Sequence, residues 1–131
     1  MRSMIALVPA VAALCAVVWA MPPAIVAKPV QDPGAQAFAT CRACHTLAAG
    51  GRSAMGPNLH GLFGRKAGSI AGFNYSPALK ASNVVWDAKT LDQYIAAPTK
   101  RVPGTRMVVS VADPARRAAL IAYLKAETSK K

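Results

Sequence analysis

Apolar residues recur with a helical period in the second half of the chain. Leu91, Tyr94 and Ile95 fall on one face of a stretch that follows Asp87, a residue type that caps helices. Pro98 lacks an amide proton and is expected to end that helix. The pattern therefore predicts one amphipathic helix between Asp87 and Pro98.

A second amphipathic stretch lies close to the end of the sequence. Asp113-Pro114 supplies a helix cap followed by proline at the first helical position. The residues after it place an apolar face on a helix that continues to the lysine-rich tail, and these residues are Leu120, Ile121, Tyr123 and Leu124.

Shorter helices and long loops account for the remainder. Residues 34–40 are expected to form a helix that runs into Cys41, and Ser76-Pro77 opens a short helix that reaches about Ser82. Residues 46–62 contain several glycines without a sustained period, which predicts an irregular loop. Residues 98–112 are likewise expected to be extended. The sequence thus predicts an all-α fold with loops as long as its helices.

The first 27 residues have the pattern of a secretory signal peptide. Arg2 precedes an uncharged, apolar stretch, and cleavage after Ala20 or Ala27 would be tolerated. An uncleaved N-terminal membrane anchor is the alternative, because a bilayer span needs roughly 20 apolar residues, although three prolines interrupt this stretch. Either outcome places the domain in the periplasm, free or anchored on the periplasmic face of the inner membrane. Residues 28–33 are then a mobile lead-in, and residues 34–131 form one domain.

The charge of the chain is strongly positive. Sixteen lysines and arginines face five aspartates and glutamates, a formal net charge of +11. Arg2 is the only charged residue among the first 27, so the chain without them has fifteen basic and five acidic residues, a net charge of +10. Such a balance indicates partners with acidic surfaces. Nucleic acid is not expected as a partner, because an exported chain without a recognisable nucleic-acid motif does not fit that class.

The chemistry is concentrated in one motif, Cys41-Arg42-Ala43-Cys44-His45. This spacing is the signature of covalent c-type haem attachment. Two thiols three positions apart lie on the same face of a helical turn and can add to the two vinyl groups of a haem. His45 then lies where its neutral imidazole can bind the iron.

Two other kinds of site use a pair of cysteines at this spacing. A zinc site needs a second pair of ligands, but outside the motif the sequence has only Cys15, in the apolar leader, and His60. A thioredoxin-like redox pair needs a strand before the motif, whereas residues 34–40 have the pattern of a helix. Haem attachment remains the favoured interpretation.

From Gly34 to about Glu127 the chain resembles the class I c-type cytochromes, the family of mitochondrial cytochrome c and its bacterial periplasmic relatives. Beyond the cysteine motif, the segments that carry the likeness are Gly56 to Arg65, Gly72 to Tyr75, Pro103 to Met107 and Leu120 to Leu124. The resemblance implies a small cytochrome c fold, with three main helices and several short ones around one haem c. That haem would be attached through Cys41 and Cys44.

The resemblance also implies roles for residues outside the cysteine motif. His45 and Met107 would be the two iron ligands, and Met55, the competing methionine, would be a packing residue. The Pro57 carbonyl would accept a hydrogen bond from the second nitrogen of His45. Tyr94 and Thr105 would form hydrogen bonds near the Met107 sulfur and a propionate. The propionates would be held by Arg65, Tyr75 and Trp86.

The function implied is that of a monohaem one-electron carrier in a respiratory or photosynthetic chain, and not of an enzyme. Its partners would be acidic docking surfaces on a quinol-oxidising complex, a terminal oxidase, a reaction centre or a periplasmic reductase, met by a monomer. The basic residues nearest the haem edge would be Arg52, Lys100, Arg101 and Arg106. The alternatives are a peroxidase-like haem enzyme, which needs an open sixth position, and a membrane-anchored subunit dedicated to one oxidase.

Overall fold

The computed structural model describes residues 31–130. The signal-peptide prediction, with its cleavage sites and its alternative of a membrane anchor, falls on residues 1–27 and lies outside the described residues. Among the helices described, none is both long and apolar enough to cross a membrane.

Residues 31–130 form five α-helices and one 3-10 turn, joined by long loops. The elements are α1 (Pro33–Phe38), the 3-10 turn (Cys41–Ala43), α2 (Pro77–Ala81), α3 (Ala88–Ala96), α4 (Pro98–Arg101) and α5 (Pro114–Thr128). Within that range there is no β-strand beyond one isolated antiparallel bridge, which joins Lys66 to Val85. The predicted all-α class is confirmed.

Three of the helices begin at side-chain caps that the sequence predicted, namely Ser76, Asp87 and Asp113. The Ser76 hydroxyl accepts the Leu79 N–H at the start of α2, and the Asp87 carboxylate accepts the Thr90 N–H at 2.7 Å at the start of α3. The Thr90 hydroxyl in turn accepts the Asp87 N–H, which completes a capping box. Asp113 caps α5 in the same way, and Asp32 caps α1.

Two helix boundaries differ from the prediction. The first helix does not continue into the cysteine motif but ends at Phe38, where the Ala39 N–H bonds to the Gln36 carbonyl three residues back. Bonds of this kind tighten the end of a helix, and the motif follows on its own 3-10 turn. The region after Pro98 is not wholly extended, because this proline ends α3 and also occupies the first position of α4.

The crossing of α1 and α5 is the tightest contact between helices. A Cβ atom on Gly34 would overlap the Tyr123 Cβ and the Ala119 carbonyl, so only glycine permits this approach. Phe38 is 1% exposed and its ring centroid lies 5.7 Å from that of Tyr123. The first and last of the described helices therefore cross in close contact at Gly34.

Helix α3 packs against α5 and completes the three-helix arrangement. Its stripe is buried as predicted, and the residues of that stripe are Leu91, Tyr94 and Ile95. From α5, Leu120 and Leu124 are buried in the same cluster. These apolar side chains surround a large cavity instead of filling the interior, which places the functional site at the centre of the fold.

Candidate functional site

A cavity of about 640 Å³ lies between the helices. Its volume is within the range of roughly 300–1,000 Å³ that is usual for ligand and cofactor pockets. All ten site residues predicted from the sequence line it: Cys41, Cys44, His45, Pro57, Arg65, Tyr75, Trp86, Tyr94, Thr105 and Met107. Residues separated by more than sixty positions are thus brought to one site.

Cys41 begins the 3-10 turn at the cavity wall, and Cys44 directly follows it. The Cys44 and His45 N–H groups both donate to the Cys41 carbonyl, at 3.0 and 2.9 Å. Both thiols are free, and burial raises the pKa of Cys41. A neutral, half-buried thiol is a poor match for the low-pKa thiolate of a redox pair. Within residues 31–130 no group of three or more His, Cys, Asp or Glu side chains is placed to hold a metal ion.

The ring of His45 is oriented by the chain itself. Its Nδ1 lies 2.8 Å from the Pro57 carbonyl oxygen. Because a carbonyl can only accept, Nδ1 carries the proton and Nε2 keeps its lone pair. Burial lowers the pKa of His45, which favours the neutral ring, and the bond to Pro57 opposes this only in part. A neutral imidazole held through its second nitrogen is the usual form of a histidine that binds a metal.

Gly56 is a site residue that the sequence interpretation did not assign. A Cβ atom at this position would overlap the Cε1, Nδ1 and Nε2 atoms of His45. The Gly56 N–H also donates to the Cys44 carbonyl at 3.0 Å, so the backbone lies directly against the imidazole. Its position beside Pro57, the expected partner of His45, was the available signal.

Asn58 is the second residue that was not assigned, and it holds the loop after His45. Its side-chain amide donates to the Ala48 and Gly51 carbonyls at 2.9 and 2.8 Å and to the Thr46 hydroxyl at 2.9 Å. Its side-chain oxygen accepts the His60 N–H. The predicted irregular loop is therefore ordered by one buried amide, while His60 does not line the cavity.

Arg65 presents an unused donor at the cavity. Its two terminal nitrogens donate to the carbonyls of His60 and Asn58, at 2.7 and 3.0 Å. Its Nε is buried and has no hydrogen-bond partner within the described part of the chain. A buried donor without a partner is costly, so this position favours an acceptor in the cavity. Burial raises the pKa of Tyr75, which keeps that phenol protonated and able to donate as well.

Residues between 86 and 107, later in the chain, bring Met107 and its neighbours to the cavity. The hydroxyls of Tyr94 and Thr105 lie 2.6 Å apart in a buried position. The Thr105 hydroxyl also accepts the Met107 N–H at 3.4 Å, and the Trp86 ring lies 5.1 Å from that of Tyr94. Met107 is half-buried in contact with the core.

Met55 does not pack as expected. Its side chain is 80% exposed and lies at the edge of the cavity, next to Gly56 in sequence. Two further apolar residues at the cavity edge are exposed, Val108 at 73% and Val109 at 46%. These three residues, Met55, Val108 and Val109, define the mouth of the cavity, which is thus partly apolar.

These side chains fit a haem c. The cavity has the volume of a cofactor site, two free thiols at haem-attachment spacing line it, and the Nε2 lone pair of His45 is available. The unpartnered Nε–H of Arg65 suits the carboxylate of a propionate, whose burial needs compensating donors. No group of the cavity wall contradicts this fit.

Comparison with known proteins places the site in a family. The family model described as "Cytochrome c" matches residues 31–127. Cytochrome c of Nigella damascena is 48% identical over 98 residues, which are 73% of this chain and 88% of that protein. Cytochrome c2 iso-2 of Magnetospirillum fulvum is 47% identical over 90 residues, 68% of this chain and 93% of that protein. Among solved structures, cytochrome cH from Methylobacterium extorquens superposes with a TM-score of 0.67 at 44% identity, covering 72% of this chain and 95% of that structure.

Proposed function

Since the chain belongs to the cytochrome c family and binds one haem c covalently through Cys41 and Cys44, we propose that it carries single electrons between membrane or periplasmic redox complexes of a respiratory or photosynthetic chain. The haem supplies one-electron exchange between ferric and ferrous iron. The observation that carries the proposal is a cavity lined by Cys41, Cys44 and His45 together with Met107, the last residue of the Pro103 to Met107 segment.

The proposed iron ligands are His45 and Met107. A soft thioether sulfur opposite an imidazole favours ferrous iron and raises the reduction potential. If His45 and Met107 both held the iron, no ligand position would remain for a substrate such as peroxide. This distinguishes an electron carrier from a peroxidase-like haem enzyme, which requires an open or labile sixth position.

The remaining predicted residues would hold and orient the cofactor. The bond from His45 to the Pro57 carbonyl makes the imidazole a stronger ligand. We propose that the donors on the cavity wall hold the propionates, and these are Arg65, Tyr75 and Trp86. The buried Tyr94–Thr105 pair lies next to the Met107 amide and would supply hydrogen bonds near the sulfur and a propionate.

Replacement of Met107 by alanine tests the ligand assignment. The variant is expected to lose the long-wavelength band of sulfur-to-iron charge transfer, to have a lower reduction potential and to bind cyanide in the ferric state, because the sixth position opens. Met55→Ala is the matched control, since this thioether is exposed at the cavity edge. An unchanged ferric spectrum in Met107→Ala would identify another ligand. Equally fast cyanide binding by the unmodified protein would favour the peroxidase-like alternative.

The acidic residues of the chain are all engaged within the fold. Three of the five cap helices and two form ion pairs: Asp32, Asp87 and Asp113 are the caps, and Asp92 and Glu127 pair with Arg117 and Lys130. Each carboxylate therefore binds a helix start or a basic side chain, whereas most of the described lysines and arginines are exposed on the surface. This distribution supports an acidic partner drawn in by a positive field.

The docking surface we propose is the mouth of the cavity. Arg106 lines it and donates to the Asn74 carbonyl at 2.9 Å, while Arg52, Lys100 and Arg101 are exposed basic residues of the same predicted set. Together with the exposed apolar residues of the mouth, they suit brief contact between a monomer of this protein and its partner. The apolar residues would form a small centre where the cofactor approaches the partner, and the charges would steer the encounter.

The rate of electron exchange with an acidic partner, such as a purified terminal oxidase or quinol-oxidising complex, is expected to fall steeply with salt. The Debye length drops from roughly 30 Å at 0.01 M to about 8 Å at 0.15 M ionic strength, which screens long-range attraction. Charge reversal of Lys100 and Arg106 should flatten this dependence. Reversal of Lys89 and Lys125, which are exposed and do not belong to the four basic residues expected nearest the haem edge, is the matched control for net charge. A rate indifferent to salt, with the Lys100 and Arg106 double variant unchanged, would refute docking through this surface.

We further propose that residues 1–27 are a signal peptide that delivers residues 34–131 to the periplasm as one domain, with residues 28–33 as a lead-in. The support is the basic, apolar and small-residue pattern of the sequence. N-terminal sequencing of the purified protein tests cleavage after Ala20 or Ala27. An intact N-terminus on protein that resists washing from membranes would instead favour the anchored subunit.

A further inference from the structure

The loop that follows Met107 has few contacts of its own. Val108 is 73% exposed, Val109 is 46% exposed, and Ser110 is also exposed. Burial of these side chains therefore contributes little to the position of the backbone that carries Met107. Hydrogen bonds hold the loop at its far end, four and five residues after Met107.

Arg117 on α5 makes those bonds. Its Nη1 donates to the Val111 carbonyl at 3.0 Å and to the Ala112 carbonyl at 2.7 Å. Its Nε donates to the Asp92 carboxylate on α3 at 2.8 Å. One guanidinium thus joins the loop to two helices.

The surroundings make this contact more than a surface ion pair. The Arg117 side chain is only 12% exposed, whereas that of Asp92 is 43% exposed. A half-buried guanidinium with three acceptors is held in one orientation, because its donors form a rigid planar fork. A lysine at this position would offer a single nitrogen and could not satisfy the carboxylate and both carbonyls in the same geometry.

A backbone bond from α3 reinforces the same point of the loop. The Val111 N–H donates at 2.8 Å to the carbonyl of Ile95, which lies in the last turn of α3. Val111 is therefore fixed through its N–H by α3 and through its carbonyl by Arg117. Ile95 and Tyr94, its neighbour in sequence, both line the cavity, so this anchor is part of the cavity wall.

We propose that Arg117, oriented by Asp92, is a positioning residue that holds the Met107 sulfur in its place at the cavity. The inference rests on the proposed ligation by Met107. It assigns to an arginine on α5 that does not line the cavity a role in a ligand bond formed ten residues earlier in the chain. Loss of the fork would free the loop at Val111 and raise the fraction of molecules in which the sulfur leaves the iron.

The test compares holoprotein of Arg117→Ala with Arg116→Ala, a neighbouring exposed arginine whose removal costs the same charge. In Arg117→Ala the ferric protein is expected to bind cyanide about tenfold faster or more, since loss of a hydrogen bond to a charged group corresponds to at least that factor. The sulfur-to-iron band should weaken, and the amides of Met107 and Val111 should exchange hydrogen faster by a similar factor. Arg116→Ala should match the unmodified protein in all three measurements.

Two further variants separate the possible outcomes. Asp92→Asn keeps both carbonyl bonds of Arg117 but removes the opposite charge, so it should shift cyanide binding in the same direction by a smaller factor, even if Arg117→Ala does not fold. Arg117→Lys keeps the charge and should resemble Arg117→Ala in cyanide binding. A folded Arg117→Ala or Asp92→Asn with unchanged cyanide binding and an unchanged band would overturn the proposal. If the band persists in Met107→Ala, the ligand assignment itself fails, which is a different result.

Discussion

Replacement of Cys44 by alanine is expected to remove most of the holoprotein. The remaining thiol, Cys41, can form at most one thioether, and the haem would then be held mainly by His45 and by apolar contact. Whenever the cofactor dissociated, the side chains around the cavity of about 640 Å³ would lose the group they pack against. In a domain of this size that volume is a large part of the core, so the apoprotein is expected to be poorly folded.

The measurement is extraction of the purified protein with acidified organic solvent. Haem bound through two thioethers stays with the protein, whereas haem that is merely ligated passes into the organic phase. Ala43→Ser is the control, because this residue lies exposed on the same 3-10 turn and carries no thiol. Haem in the organic phase from the unmodified protein would contradict covalent attachment.

Replacement of Phe38 by alanine is expected to reduce the free energy of unfolding by about 3–5 kcal/mol. The side chain is 1% exposed and packs against Tyr123 where α1 crosses α5. Because Gly34 lets the two helices approach closely, any separation of the helices would lose further contacts. A loss of this size is a substantial part of the roughly 5–15 kcal/mol that stabilises a typical domain.

Chemical denaturation of the holoprotein, followed by circular dichroism, measures this loss. Val85→Ala is the control, since this apolar side chain is 48% exposed and its truncation should change stability by less than about 0.5 kcal/mol. A Phe38→Ala variant that loses less than about 1 kcal/mol would contradict the burial of this ring. A double-mutant cycle with Tyr123→Ala would isolate the aromatic pair, expected to add about 0.5–1.5 kcal/mol beyond area burial.

Local signals predicted the helix starts and the chemistry of the site. The caps Ser76, Asp87 and Asp113 could be located from the sequence because each side-chain oxygen binds an N–H only three residues further on. Cys41, Cys44 and His45 could be identified because their chemistry depends on spacing within a single turn. The resemblance to a family then extended the assignment to residues far apart in sequence, all of which line the cavity.

Boundaries and supporting residues were less predictable. The helix before the cysteine motif ends earlier than its composition indicates, because the 3-10 turn sets the cysteines against the cavity. Pro98 begins a helix as well as ending one, and both roles agree with its fixed φ and missing N–H. Met55 has the apolar side chain of a packing residue, yet it is 80% exposed within the described part of the chain.

The kind of cofactor, the way it is attached and the positive field follow from the residues alone, since they depend on spacing and on counts of charge. Which nitrogen of His45 is free, why Gly56 cannot carry a side chain and why Arg117 meets the loop after Met107 depend on contacts between separate segments. Such contacts are set by the packing of α1, α3 and α5 around the cavity. No periodic or compositional signal specifies them, because the same residues would be ordinary loop or helix positions in another arrangement.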